Sequence, residues 1–109
     1  MSKIPEIYVL QSEFCRSVTH PIRMLIVENL SKKSFSSLKE LSDSLGFPVS
    51  HLSQHVKVLY DIGVLGRKSV GRKREYFLKY PKIIEGLECM REVLSEILKE
   101  KGKLIKKLT

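Results

Sequence analysis

Leu38-Lys39-Glu40-Leu41-Ser42-Asp43-Ser44-Leu45-Gly46-Phe47-Pro48-Val49-Ser50-His51-Leu52-Ser53-Gln54-His55-Val56-Lys57 decides how this chain folds. Leu38, Leu41 and Leu45 stand at helical spacing, with Ser36 or Ser37 placed to cap and Glu40 in the first turn, the pattern of a capping box. Gly46 stops that helix, because glycine takes the left-handed conformation at a helix end without steric cost. Past Gly46-Phe47-Pro48 a second helix is predicted from Val49 to Asp61, with Leu52, Val56, Leu59 and Ile62 as its inward stripe and Gly63 as its stop. Two short helices across a tight, glycine-containing turn make a helix-turn-helix unit.

In such a unit the second helix packs one face on the first and offers the other to base edges in the major groove. With Leu52 and Val56 inward, Ser50, His51, Ser53, Gln54 and Lys57 point away from the core. These side chains are short or hydrogen-bonding, so they can meet donors and acceptors in the groove. No carboxylate occurs between Asp43 and Asp61, where a negative charge would repel phosphates. His55 lies near the same side and is read as a phosphate contact, the other reading being a histidine that bridges the helix pair.

Working outward, Ile4, Ile7, Tyr8, Leu10, Phe14, Cys15 and Val18 predict a helix over 4–18. His20-Pro21 interrupts it, and Pro21 suits the first position of a second helix to Leu30, capped by Thr19 or His20. Its inward stripe reads Ile22, Leu25, Ile26 and Leu30. Downstream of Gly63 the period changes to two: Val64 to Val70 and Arg74 to Leu78 read as a hairpin around Gly71. Tyr80-Pro81 ends the strands, and a last helix runs from about Lys82 to beyond Lys101. The fold class is mainly α with a small β-hairpin: one winged helix-turn-helix domain over 1–109, with about five helices and a two-stranded wing.

Charge agrees with a polyanionic partner. The formal net charge is +8, and Arg67-Lys68-Ser69-Val70-Gly71-Arg72-Lys73-Arg74 concentrates five cations around the hairpin tip without an acid. A flexible basic wing can reach phosphates or a minor groove, which selects Lys68, Arg72, Lys73 and Arg74 as contacts. No apolar run is long enough to cross a bilayer, and the first residues lack the apolar block of a signal peptide, so a cytoplasmic protein is expected.

The order of these elements resembles the ArsR/SmtB-like family of winged-helix repressors. Phe14-Cys15-Arg16-Ser17-Val18-Thr19-His20-Pro21-Ile22-Arg23-Met24-Leu25-Ile26 looks like the family's entry helix. Leu38 to Leu65 matches closely, with Ser53-Gln54-His55-Val56-Lys57-Val58-Leu59 the most specific part, and Gly71-Arg72-Lys73-Arg74-Glu75-Tyr76-Phe77-Leu78 is similar to the wing. The resemblance implies transcriptional regulation by binding double-stranded DNA. One departure is Pro48, standing where the family often has a capping serine; its side chain cannot cap.

Resemblance also raises the matter of a metal effector. Family members that sense metals often carry a cysteine pair in the helix before the recognition helix, and Leu38 to Leu45 has none. Others use histidines on the last helix, but His20, His51 and His55 all precede the wing. The expectation is no metal and no cofactor, with any effector unknown. Cys15 and Cys89 are read as reduced, partly buried structural thiols, a soft-metal or arsenical site across a dimer being the alternative. No nucleophile–base set points to an enzyme.

Ile83, Leu87, Met90, Leu94, Ile97, Leu104 and Leu108 form a heptad-like seam longer than one small domain can cover. A symmetric homodimer is therefore expected, its interface including Tyr8, Phe14, Leu87, Met90, Leu94 and Ile97. The competing reading is a protein-interaction module whose basic face docks an acidic partner. Absence of acids from the presumed recognition face favours DNA.

Overall fold

The computed structural model describes residues 3–102. Five helices and one hairpin follow in order: α1 (Glu6–Val18), α2 (Pro21–Ser31), α3 (Leu38–Leu45), α4 (Val49–Asp61), β1 (Leu65–Val70), β2 (Lys73–Leu78) and α5 (Ile83–Glu100). Helix starts obey local chemistry. His20 caps α2, its Nδ1 accepting from the Ile22 N–H at 3.1 Å, with Pro21 at the first helical position. Ser37 and Glu40 close a reciprocal capping box on α3, at 3.2 and 2.8 Å. Pro5 rather than Ile4 opens α1, and Pro48 precedes α4 without any side-chain cap.

The turn between α3 and α4 is pinned twice to Ser42. Gly46 takes φ +78° and donates its N–H to the Ser42 carbonyl at 2.8 Å, while the Ser42 hydroxyl donates to the Phe47 carbonyl at 2.6 Å. The angle between the two helices therefore rests on backbone bonds as well as on packing. Val18, Ile26, Val27, Leu30, Leu41, Leu52, Val56, Leu59, Val64, Leu65 and Tyr76 form one buried core drawn from α1 to α4 and the root of the hairpin.

In α2 the inward stripe differs from expectation. Val27 is fully buried and Leu25 is 45% exposed. α2 packs against α3, α4 and β2 together, so it buries a second edge, on which Val27 lies and Leu25 does not.

The hairpin pairs antiparallel with Leu65 opposite Leu78, Arg67 opposite Tyr76 and Ser69 opposite Arg74. Gly71 at φ +63° is followed by Arg72, and among the described residues no non-glycine has positive φ, the pattern of a type II′ turn that suits the twist of a hairpin. Ser36 and Tyr76 exchange backbone hydrogen bonds at 2.9 and 2.8 Å, so the segment before α3 adds a short third edge to the sheet.

The outermost helices contribute little to the core. α1 buries only Val18, and α5 buries no residue completely, though Ile83, Ile84 and Leu87 rest against the core. The radius of gyration, 16.2 Å, exceeds the roughly 13 Å of a compact 100-residue globule. Arg91 on α5 pairs with Glu28 on α2. Cys15 and Cys89, expected to be partly buried, are both exposed, because the helices that carry them have so little of this chain over them. Of the seam, Leu104 and Leu108 lie outside the described residues.

Candidate nucleic-acid interface

Successive residues of a helix are set about 100° apart, so α4 divides into an inner stripe, an outer row and two flanks. Leu52, Val56 and Leu59 form the inner stripe. Ser50, Gln54 and Lys57 are exposed, follow one another at spacings of four and three, and make the outer row. Asp61 continues it and takes Lys57 in an ion pair at 2.7 Å. Lys57 is thus already partnered in the free chain.

Ser53 lies on one flank. It lines a groove of about 460 Å³ with Leu38, Lys57, Tyr60, Asp61, Arg67, Arg74 and Tyr76, and its hydroxyl donates to the Ser50 carbonyl at 3.2 Å. Arg67 reaches this groove because strand register puts it on the same hairpin face as Arg74 and Tyr76. Its guanidinium lies 4.3 Å from the centre of the Tyr60 ring, a cation–π contact that tethers wing to helix. Arg67 stood in the basic cluster without being singled out; alternation from the buried Leu65 is the signal that places it beside α4.

Lys68 occupies the other hairpin face, its ammonium 3.5 Å from the centre of the Phe35 ring. On that face Lys73 lies 3.6 Å from Glu40 and 3.8 Å from Glu75. Arg72 and Arg74 have no ion-pair partner among the described residues and are exposed. The wing therefore carries two kinds of cation interleaved along it: free guanidiniums on Arg72 and Arg74, and tethered charges on Arg67, Lys68 and Lys73.

The opposite flank of α4 holds His51 and His55. His51 is exposed, 6.5 Å from the Phe47 ring. His55, expected to reach phosphates, is half-buried and turned toward α2. Its Nδ1 accepts from the Arg23 Nε–H at 3.2 Å, and its ring lies 4.5 Å from that of His20. Burial, reinforced by charge on His20, Arg23 and His51, lowers its pKa from the ordinary 6.5. Arg23 was not singled out as functional; nothing local marks it, since its partner lies 32 residues away.

Among the residues expected at a dimer interface, Tyr8, Met90, Leu94 and Ile97 are exposed by 64, 69, 46 and 44%. Phe14 is 41% exposed, while Leu87 is half-covered by its own core. Among the described residues no three His, Cys, Asp or Glu side chains group closely enough to hold a metal ion. No described helix is long and apolar enough to cross a membrane.

A helix-turn-helix whose second helix shows a polar outer row beside a basic hairpin defines a DNA-binding winged helix. Comparison with known proteins agrees. An uncharacterized HTH-type transcriptional regulator of Mycobacterium tuberculosis, Rv0081, is 32% identical over 102 residues, covering 94% of this chain and 90% of the relative. Its crystal structure superposes with a TM-score of 0.76 over 90% of this chain and 98% of that one. NolR from Sinorhizobium fredii (21% identity, TM-score 0.70, 85 and 96% coverage) and the transcriptional repressor PagR of Bacillus anthracis (24%, 0.67, 79 and 99%) share the fold. No family model matches the chain. The chain belongs to the ArsR/SmtB-type winged-helix transcriptional regulators, a family of DNA-binding proteins that are not enzymes.

Proposed function

We propose that the protein is a sequence-specific repressor that binds double-stranded DNA as a symmetric homodimer in the cytoplasm. The observation that carries this reading is the outer row of α4 flanked by the groove of Ser53, Arg67 and Arg74. Ser50, His51 and Gln54 enter the major groove and read base edges. Arg72 and Arg74 take phosphates beside them, and Lys68, Lys73, Lys57 and Arg67 join once DNA competes for their intramolecular partners.

Two copies fit because α1 and α5 expose Ile7, Tyr8, Leu10, Phe14, Met90, Val93, Leu94 and Ile97. A monomer in water gains nothing from leaving such a band open, and a two-fold axis along it covers the band twice. The two recognition helices then meet successive major grooves about 34 Å apart. Repression is the simplest output of a dimer of this size, which can occlude a promoter; PagR carries the name of a repressor. Selecting bound sequences from a random duplex pool tests the reading. Enrichment of an inverted repeat with half-sites one turn apart supports it. Recovery of unrelated sequences, with an acidic protein bound instead, refutes it.

A further inference from the structure

Arg23 joins three helices of the reading head by hydrogen bonds. From the first turn of α2 its Nη1 donates to the Ser17 carbonyl in the last turn of α1, at 2.9 Å, and its Nε donates to His55 of α4, at 3.2 Å. A guanidinium is always a donor and always charged. The contact therefore requires a bare lone pair on His55 Nδ1, which leaves the ring's proton on Nε2 and the imidazole neutral. His20 shares the site, stacked 4.5 Å away with its own Nδ1 committed as the acceptor for α2. The groups acting on His55 are His20 and Arg23 from α2 and His51 from its own helix, with no carboxylate among them.

A second proton on His55 would place N–H against N–H and cation against cation. Nothing in the pocket could neutralise that charge, so the ring would have to leave Arg23. α4 would then lose the side-chain bond to α2 that, beside the packing of Leu52 and Val56, holds the flank of His51 and His55, and with it the aim of Ser50, His51 and Gln54. We propose that neutral His55, held by Arg23, is a latch that orients the recognition helix, and that its protonation uncouples sequence-specific DNA binding. His55 and Arg23 act here as positioning residues. The inference rests on the DNA-binding reading above.

The sign of the effect separates the latch from ordinary electrostatics. Acid adds positive charge to a protein, which by itself tightens binding of a basic chain to any duplex. The latch demands the reverse for the preferred duplex. Linked to uptake of one proton per protomer, specific affinity falls about tenfold per pH unit per protomer once His55 titrates.

The test compares a selected operator duplex with a random duplex at constant ionic strength from about pH 8 to about pH 5.5, the range in which histidines change charge. In the wild type the operator-to-random ratio is expected to collapse toward one on acidification. His55→Asn places an amide oxygen near the Nδ1 position and does not titrate, so its ratio should hold across the range. A wild-type ratio that stays level or rises, or a fall in His55→Asn equal to that of the wild type, overturns the latch. No preferred duplex at about pH 8 overturns the DNA reading and the latch with it, whereas a preference indifferent to pH overturns the latch alone. Nitrogen-15 NMR of the wild-type His55 ring gives a check that needs no variant. A ring protonated on Nε2 and bare on Nδ1 near pH 8 is expected, and a proton on Nδ1 refutes the proposal.

Discussion

Removing Arg72 and Arg74 together should flatten the salt dependence of DNA binding far more than removing Lys57. The two arginines are exposed and unpaired among the described residues, so on DNA each would neutralise a phosphate and release its condensed counterion. Each such contact contributes about 0.9 to the slope of log affinity against log salt, so Arg72→Ala with Arg74→Ala removes about 1.8 per protomer and about 3.6 per dimer. Between about 50 and about 200 mM salt, one contact changes affinity about 3.5-fold and the two together about 12-fold per protomer. Lys57 starts from a different place, bound to Asp61 at 2.7 Å. To serve a phosphate it must leave that carboxylate, so Lys57→Ala should cost well under 0.9 in slope. Asp61→Asn, which releases Lys57, should tighten binding and steepen the slope. Fluorescence anisotropy on a labelled duplex at four or more salt concentrations reads all three. An unchanged slope in the arginine double variant, or a loss in Lys57→Ala as large as either arginine's, would refute this division of free and tethered cations.

Base preference should depend on Gln54: Gln54→Ala is expected to lose about 1–3 kcal/mol of discrimination between operator and random duplex while keeping most non-specific affinity, and equal losses on both would make it a backbone contact. Leu94→Glu should dissociate or unfold a dimer with or without a chelator present, read by sedimentation at micromolar concentration; a monomeric wild type would overturn the assembly. At Gly66 a Cβ would come within 2.2–2.7 Å of the Phe77 ring, whose centre lies 5.4 Å from that of Phe35, edge to face; Gly66→Val should displace the ring and lower stability by about 1–3 kcal/mol in thermal melts, an unchanged Tm being the contrary result. Ser37→Ala should cost about 1 kcal/mol in urea unfolding. Hydrogen bonds from the Ser37 backbone and side chain, with Lys73 nearby, hold the Glu40 carboxyl below its ordinary 4.5. A lowered carboxylate pKa contributes stability above the ordinary value and loses it as pH falls through the folded one. The carboxylate half of the capping box should therefore fade as pH falls below the ordinary 4.5, and a Glu40→Gln deficit in stability that persists undiminished in acid would contradict it.

What could be read from the chain alone was what neighbours in sequence decide. The Ser37–Glu40 box, the Gly46 stop and the change of period at Val64 each involve residues within a turn or a strand of one another. Longer-range partnerships left no such trace. Val27 replaces Leu25 in the core because β2, about fifty residues on, covers the second edge of α2. The outward row of Ser50, Gln54 and Lys57 followed from the inward leucines, yet the same wheel could not say that the His55 flank meets Arg23, or that Lys57 is taken by Asp61. On the hairpin, composition marked every cation alike, and only strand register separates Arg67, beside α4, from Lys68, against Phe35.

The bond pair between Ser36 and Tyr76 gives the hairpin a mechanical asymmetry. At its root β2 is hydrogen-bonded on both edges, to β1 and to Ser36, and Tyr76 is 7% exposed. Toward Gly71 both strands are solvent-exposed and bonded only to each other. The wing is therefore a cantilever clamped at the reading head, with the unpaired guanidinium of Arg72 at the free end. Amide exchange should be slow at Ser36 and Tyr76 and quicken residue by residue toward Arg72. If the wing and α4 contact DNA as proposed, such a lever would let the tip sweep for a phosphate while α4 keeps its angle, so local variation in the width of the duplex would not disturb the bases being read.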